Sequence, residues 1–307
     1  MRVVFLGTSR FACPTLEALT EATEVVLVVT QPDRPAGRGR RICAPPVKEL
    51  ALRKRLRVVQ PLKASSEEAV AEVIAARPDV AVVVAYGQLL RRRLFAVPPL
   101  GTVNLHASLL PRHRGAAPIN WAVIRGDKET GATTFLLDEG MDTGDLLLAE
   151  SIAVGENETA GELEERLAPL GAGLMLRTIE GLARGSLVPT PQTEDEATLA
   201  PKLTRRDGAI NWDRPALELH NQIRGMNPWP GAYATLGEKR LKIHRSELTG
   251  IRRGGWPAGA FALRETGRFL VATADELLEL TEVQREGRAS TSGDACLRGL
   301  RDEECFR

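Results

Sequence analysis

The chain is poor in the residues on which several protein classes depend. Only four of its 307 residues are cysteines, and none of them forms a CxxC pair. Their spacing is too wide for a small disulfide scaffold, so we expect reduced thiols, as in cytosolic proteins. Histidine is equally scarce, with four residues in the chain. His106, which directly follows Asn104 and Leu105, is therefore a candidate functional residue.

Signals for a membrane or for export are also missing. No apolar run approaches the roughly 20 residues that span a bilayer. The first ten residues, MRVVFLGTSR, enter a strand pattern directly. They show neither the apolar region of a secretory signal nor the arginine-rich, acid-poor character of a transit peptide. We therefore expect a cytoplasmic protein.

An excess of charge of one sign is absent from the chain as a whole. The formal net charge is +1 at pH 7, so there is no global signal for binding polyanions. The charge is unevenly distributed, because residues 33–57 contain nine basic residues and only two acidic ones. Any nucleic-acid contact is therefore expected at such a local patch.

Residues 1–188 alternate apolar, strand-like runs with helical segments. The strand-like runs lie at 2–6, 24–29, 57–60, 79–87, 102–106, 131–138 and 145–154. Because most of them are apolar without alternation, they predict a largely parallel sheet that is covered by helices on both faces. The fold class of this region is therefore α/β.

The composition changes after residue 188. Residues 189–207 are rich in turn formers and predict a linker. A helix near 215–225 is followed by short runs of alternating apolar and polar residues, separated by turn residues. This pattern predicts a small antiparallel barrel in residues 208–307.

Asn104 and His106 are the first candidate site residues. They lie two apart on a predicted strand, so their side chains point to the same face, close to its carboxyl end. Ligands of open parallel sheets bind outside such strand ends. A buried histidine that is satisfied by a neighbour, with a capping asparagine, is the structural alternative. A dinucleotide site is not favoured, because the first strand is followed by Gly7 alone rather than by GxGxxG.

An acidic loop, LDEGMDTGD at 137–145, follows a later strand. It lacks the ligand spacing of a calcium-binding EF-hand loop, and a zinc site would need more histidine or cysteine nearby. The loop carries four carboxylates, Asp138, Glu139, Asp142 and Asp145. One of them that meets His106 across adjacent strand ends would fix the tautomer of the imidazole and stabilise its charged form. A plain acidic turn is the alternative.

Several longer motifs carry a resemblance to a known family. NLHASLLP at 104–111, followed by RHRGAAPI, resembles the N-x-H-x-S-L-L-P signature of the folate-dependent formyltransferases, and the acidic loop resembles their partner loop. TQPDRPAGRGRR, VVVAYGQLL and IRGMNPWPGAY resemble the members of that family that act on tRNA. The chain departs from the family at Ala107, where glycine is usual, and in the acidic residues at 302–304.

The resemblance implies a Rossmann-like, parallel-sheet formyltransferase domain followed by an OB-like β-barrel domain that binds tRNA. It also implies transfer of the formyl group of 10-formyltetrahydrofolate to the α-amine of methionine carried by initiator tRNA. No metal takes part in this reaction, and we expect a monomer. The implied catalytic residues are Asn104, His106 and Asp142.

The binding residues implied by the resemblance fall into two groups. The folate group consists of Ala85, Tyr86, Gly87, Ser108, Leu109, Leu110, Pro111, Asp138, Glu139, Gly140 and Met141. The tRNA group consists of Arg38, Arg40, Arg41, Lys202, Arg205 and Arg206. Plain core packing remains the alternative for Leu109 and Leu110.

Three other functions compete with this interpretation. A related formyltransferase could act on a small-molecule amine, although it would not need the basic segment at 33–57. A non-catalytic RNA-binding protein would not need Asn104, His106 and Asp142 together. A nicotinamide oxidoreductase is disfavoured by the missing glycine motif.

Overall fold

The structure, a computed structural model, describes residues 1–36, 41–237, 239–300 and 305–306. The chain forms two compact units. The first consists of Met1–Pro118, Thr130–Ile152 and Glu164–Ala200, and the second of Ile119–Glu129, Ala153–Leu163 and Pro201–Arg307. The segment 189–207, which the sequence predicts as a linker, therefore contributes residues to both units.

The first unit is built on a seven-stranded sheet. Its strands and a separate two-stranded hairpin are β1 (Arg2–Gly7), β2 (Glu24–Val29), β3 (Arg34–Ala36), β4 (Arg41–Cys43), β5 (Val58–Val59), β6 (Val80–Val84), β7 (Thr102–His106), β8 (Glu129–Leu136) and β9 (Leu146–Ala153). The sheet order is β5-β2-β1-β6-β7-β8-β9, and β3 pairs with β4. The first five strands of that order are parallel, which confirms the α/β prediction, whereas β8 is antiparallel to β7.

Helices cover this sheet because its central strands are apolar on both faces. They are α1 (Cys13–Ala22), α2 (Pro46–Arg53), α3 (Glu67–Ala76), α4 (Arg92–Phe95) and α6 (Ala160–Arg184), whose first turn lies in the second unit. Helix α5 (Pro118–Ile124) belongs to the second unit except for Pro118. All five residues of β6 are buried. One core cluster joins apolar side chains of β1, β2 and β6 to α3 and α4. Ser66 caps α3 by accepting a hydrogen bond from the Ala69 amide.

The second unit contains an antiparallel sheet with a short helix on either side of it in the sequence. The elements are α7 (Ala216–Gly225), β10 (Ala232–Leu236), β11 (Lys239–Arg252), β12 (Phe261–Ala262), β13 (Leu270–Ala272), β14 (Glu276–Arg285), β15 (Thr291–Ser292) and α8 (Gly293–Arg298). The order is β10-β11-β14-β13-β12, with β15 on β14. Register shifts in β11 near Arg245 bend this long strand, as bulges do in curved sheets. The result confirms the predicted OB-like antiparallel domain.

The direction of β8 changes how the acidic loop reaches His106. Because β8 is antiparallel to β7, it ends beside the start of β7, where the Leu137 amide donates to the Thr102 carbonyl at 2.8 Å. His106 lies four residues further along β7, which is about 13 Å at 3.3 Å per residue. Asp142 and His106 do meet, but not across adjacent strand ends as the sequence predicts, because the loop brings Asp142 back along β7.

Candidate active site

His106 is the last residue of β7 and its side chain is buried. Its Nε2 atom lies 2.8 Å from the carbonyl oxygen of His113. A carbonyl oxygen can only accept, so Nε2 must carry the proton and donate. This hydrogen bond sets the tautomer of the neutral ring and leaves Nδ1 on the side that faces Asp142.

Asp142 presents its carboxylate to that ring. Its Oδ2 atom lies 3.7 Å from Nδ1 of His106 and accepts a hydrogen bond of 2.8 Å from the Gly115 amide. A separation of 3.7 Å is too long for a hydrogen bond, so the contact between the ring and the carboxylate is an electrostatic one. The backbone of Asp142 is left-handed, with φ of 58°. Such a conformation persists in a non-glycine residue only when neighbouring contacts hold it.

Asn104 lies two residues before His106 on β7 and is half-buried. In the sheet it sits between Val83 of β6 and Phe135 of β8. Its side chain leaves the strand on the same face as His106 because strand side chains alternate. The sequence therefore brings an amide and an imidazole to one face, and the fold adds the carboxylate of Asp142.

The signature loop after β7, residues 107–112, is held by hydrogen bonds to its own backbone and to β8. The Ser108 hydroxyl donates to the Arg112 carbonyl at 2.6 Å, and the Leu110 amide donates to the Thr133 hydroxyl at 3.1 Å. Ser108, Leu110 and Pro111 are buried, whereas Leu109 is half-buried. The hydroxyl of Ser108 therefore helps to hold the loop in place. The assignment of Ser108, Leu109, Leu110 and Pro111 to the folate site stays a prediction.

The turn after β6 exposes backbone rather than side chain. Tyr86 is 2% exposed and its ring lies in the core cluster, where burial raises the pKa of its hydroxyl to about 12. Ala85 and Gly87 on either side of it are exposed and left-handed, with φ of 43° and 82°. The turn is fixed by the Thr8 hydroxyl, which donates to the Tyr86 carbonyl at 2.7 Å.

The four residues of the acidic loop that are expected to bind folate, 138–141, are exposed. Asp138 accepts hydrogen bonds from the Gly140 amide at 3.0 Å and from the Thr143 hydroxyl at 2.8 Å. Glu139 lies 3.9 Å from Arg92, and Met141 is 57% exposed. The loop thus has a folded base and an open apolar tip.

The residues expected to contact tRNA are placed only in part. Arg38 and Arg40 lie outside the described residues, and Arg41 is the first residue of β4. Lys202, Arg205 and Arg206 are exposed. The last two lie on a 3-10 turn, Arg205–Gly208, which a reciprocal hydrogen-bonded cap between Thr204 and Asp207 closes.

Sequence reasoning missed the residues that hold the catalytic candidates. Residues 113–115 supply both the carbonyl that accepts from His106 and the amide that donates to Asp142. Gly115 has φ of 124°, and a Cβ atom there would lie 2.7 Å from the Ala200 carbonyl oxygen. Only the glycine in the turn-prone RHRGAAPI segment could have signalled this close approach.

Among the described residues, no group of three or more histidine, cysteine, aspartate or glutamate side chains could hold a metal ion. The four cysteines all lie in the described part of the chain, and no disulfide joins them.

A search for membrane spans found no helix in the described part of the chain with the length and hydropathy to cross a bilayer.

Comparison with known proteins identifies the class of enzyme to which this fold and site belong. A family model described as formyl transferase matches residues 1–179, and one described as formyl transferase, C-terminal domain, matches residues 202–301. The chain therefore belongs to the formyl transferase family.

Within that family, the chain is similar over nearly its whole length to enzymes of one kind. The chain is 44% identical to the methionyl-tRNA formyltransferase of Trichlorobacter lovleyi, over 97% of this chain and 94% of the relative. It is 47% identical to the methionyl-tRNA formyltransferase of Acidobacterium capsulatum, over 97% of this chain and 96% of the relative. These identities place the chain among the methionyl-tRNA formyltransferases.

A more distant solved structure has the same fold. The N-formyltransferase of Helicobacter canadensis, solved in complex with folinic acid and dTDP-3-aminofucose, has a TM-score of 0.69 and 18% identity. The match covers 92% of this chain and 98% of that one.

Proposed function

We infer that this protein transfers the formyl group of 10-formyltetrahydrofolate to the α-amino group of methionyl initiator tRNA, which yields the N-formylmethionyl-tRNA used to start translation. The observation that carries this conclusion is the identity of 44% and 47% to methionyl-tRNA formyltransferases over nearly the whole chain. The face that carries Asn104, His106 and Asp142 supplies groups suited to that chemistry.

We propose that Asn104 and His106 stabilise the negative charge that develops on the formyl oxygen when the amine attacks the formyl carbon. Donors aimed at such a charge are commonly the largest single contribution to catalysis. His106 donates in this role from Nδ1 in its imidazolium form, since Nε2 is already used by the His113 carbonyl. Asp142, at 3.7 Å, stabilises that imidazolium and assists the departure of the amine proton through water. Delivery of a proton to N10 of the donor would then allow the bond between N10 and the formyl carbon to break, which releases tetrahydrofolate.

The exposed backbone of the first unit suits the folate donor. A pterin is flat and has polar edges, so it needs backbone donors and acceptors beside apolar surface. Ala85 and Gly87 offer exposed backbone groups, and Met141 offers exposed apolar surface. The formyl donor supplies the one-carbon group, and these residues would hold its ring system.

We propose that the second unit and the basic loop bind the tRNA. Lys202, Arg205 and Arg206 are exposed, as phosphate contacts must be. Arg38, Arg40 and Arg41 belong to the segment with the local excess of positive charge. We propose a catalytic domain at 1–188, a linker at 189–207 and a tRNA-binding domain at 208–307.

The proposed cellular compartment follows from the substrate. Initiator tRNA is used in the cytoplasm, and cysteines that form no disulfide agree with a reducing compartment. We propose a cytoplasmic enzyme that acts as a monomer. Sedimentation of the purified protein at working concentration tests the monomer, and a dimer would overturn it.

The decisive experiment supplies the purified protein with 10-formyltetrahydrofolate and one amine at a time. The amines are methionyl initiator tRNA, methionyl elongator tRNA and an amino-sugar nucleotide. We expect formyl-methionine on the initiator tRNA and little product with the others. Preferred formylation of the amino sugar would instead favour a small-molecule formyltransferase.

A further inference from the structure

Gln192 lies at the centre of a chain of hydrogen bonds that ends at Asp142. Its Nε2 atom donates to the carbonyl oxygen of Asp142 at 2.9 Å and to that of Gly144 at 2.8 Å. A side-chain amide has two N–H donors, so both are used on this one turn. The amide therefore holds the backbone of Asp142, whose left-handed conformation needs such support.

A buried arginine fixes the orientation of that amide. Arg114 is 5% exposed, and its Nε and Nη2 atoms donate to Oε1 of Gln192 at 3.1 and 2.8 Å. The same guanidinium forms two hydrogen bonds, of 2.9 and 2.8 Å, to the two carboxylate oxygens of Glu194. Turning the amide over would set its NH2 group against the cation. Gln192 can therefore point only its nitrogen at the Asp142 turn.

We call residues 190–200 the strap, and it is attached to the site at a second place. The Arg114 amide donates to the Thr198 carbonyl at 2.8 Å, and the Ala200 amide donates to the Arg114 carbonyl at 2.7 Å. The His113 amide donates to the Thr198 hydroxyl at 2.8 Å. The strap thus holds residues 113–115, whose backbone contacts both His106 and Asp142.

We propose that Gln192 is a positioning residue for the reaction, held by Arg114 and acting through the carboxylate of Asp142. The proposal rests on the proposed function, because it assigns Gln192 to the same catalytic step. It concerns turnover rather than substrate affinity, since the bonds of Gln192 go to the backbone of the loop and to Arg114. The strap is then part of the catalytic machinery.

Gln192→Met is the primary test, because methionine keeps the length of the side chain and removes the amide. A misplacement of about 1 Å in a catalytic group can cost about 100-fold. We expect kcat for methionyl-tRNA to fall about 10- to 100-fold, with both KM values within about twofold. An unchanged kcat would overturn the proposal. If the methionine variant does not fold, Gln192→Asn takes its place, since it retains the amide on a shorter side chain. Its kcat should also fall.

Gln284→Met is the matched control. Gln284 is a half-buried glutamine of the second unit whose amide donates to the Arg288 carbonyl at 2.7 Å. This variant also loses an amide-to-carbonyl hydrogen bond, and we expect an unchanged kcat. Thermal unfolding of both variants separates a loss of stability from a loss of turnover.

A double-mutant cycle separates positioning from general damage. In a chain that already carries Asp142→Asn, Gln192→Met should cause little further loss of kcat, because the group it positions has lost its charge. A loss that multiplies with that of Asp142→Asn would show that Gln192 acts by another route, and the proposal would fail.

Amide hydrogen exchange reports on the network without any catalytic assay. The Gly115 amide donates to the Asp142 carboxylate, so Gln192→Met should make its exchange faster. Exchange that stays at the wild-type rate would contradict the network. If the wild-type protein fails to formylate methionyl-tRNA, the proposed function fails while this measurement still decides the role of Gln192.

Discussion

The turn that carries Asp142 and the turn that carries Arg205 and Arg206 are held in the same way. In the first unit, Gln192 donates to two carbonyls of the turn and accepts from Arg114. In the second unit, Gln222 donates to the carbonyls of Asp207 and Ala209 at 2.8 and 3.0 Å. It accepts from Arg214 at 3.0 Å.

The difference between the two turns lies in what else holds them. The second turn has its own reciprocal cap between Thr204 and Asp207 and carries exposed cations. The first turn holds Asp142 in a left-handed conformation beside a buried imidazole. Loss of the glutamine should therefore disturb the first turn more than the second. We expect similar hydrogen bonds to have different consequences, because only the first turn holds a non-glycine residue in the left-handed conformation.

The largest difference in kcat between the two turns should come from removing the charge of Asp142. Asp142→Asn keeps the shape of the side chain and removes the negative charge beside His106, so kcat should fall about 100- to 1,000-fold. The counterpart Asp207→Asn should weaken the cap of the second turn and leave kcat nearly unchanged. Steady-state kinetics on the two folded variants measures the contrast. Near-wild-type turnover of Asp142→Asn would remove the proposed role of the carboxylate.

One glycine near each turn allows a steric test of the comparison. A Cβ atom at Gly115 would lie 2.7 Å from the Ala200 carbonyl oxygen, and one at Gly208 would lie 2.1 Å from the Gly231 carbonyl oxygen. Either alanine variant should lose folding stability, by about 1–3 kcal/mol at the left-handed Gly115. Only Gly115→Ala should also lower kcat, by more than about tenfold, because its amide holds Asp142. Chemical unfolding and kinetics on both variants check this, and equal kcat values would contradict it.

The glutamine of the second turn should have a smaller effect, on affinity. Gln222→Met removes hydrogen bonds worth about 1 kcal/mol each, while the cap remains. We expect KM for methionyl-tRNA to rise about two- to fivefold and kcat to stay constant. A fall in kcat that matches that of Gln192→Met would abolish the distinction between the turns.

Salt dependence distinguishes the two turns by charge. Neutralising Arg205 and Arg206 together should flatten the decrease of kcat/KM with salt, since each phosphate contact contributes about 0.7–0.9 to the slope. Asp142→Asn should lower the rate at every salt concentration and leave the slope unchanged. Parallel salt titrations of the three proteins test this. An unaltered slope in the double arginine variant would exclude those residues as tRNA contacts.

The smallest expected effect is on stability against pH and involves a buried histidine of the second unit. Burial lowers the pKa of His220 below its ordinary value of 6.5, although its hydrogen bond to the Glu156 carbonyl acts in the opposite direction. Its contribution to stability is complete above pH 6.5, the unfolded value, and is lost as the pH falls toward the folded value. Thermal unfolding between pH 8 and 5 should show a decrease that His220→Gln reduces. The same decrease in both proteins would show that other groups cause it.

Much of the local structure could be predicted from the sequence. The strand pattern of β6 depends on neighbouring residues, and this strand forms within a few residues of its predicted bounds, 79–87. Asn104 and His106 could be named as candidates because strand alternation and residue rarity are visible in the sequence. Asp142 was found through the resemblance, although its route to His106 was not.

The supporting residues could not be found in this way because their partners are far apart in the chain. Gln192 and Asp142 are separated by 50 residues, and Arg114 and Gln192 by 78. No periodicity or turn preference of residues 189–207 records such a contact, so this segment resembles a linker. Its hydrogen bonds exist only once the sheet has formed.

The sequence by itself determined the order of strands and helices, the α/β class of the first unit and the amide and imidazole on one face of β7. These depend on short-range preferences and on the burial of apolar side chains. The tertiary structure decided the antiparallel direction of β8, the return of Asp142 to His106 and the attachment of the strap. Those features depend on hydrogen bonds between distant segments, which no local pattern encodes.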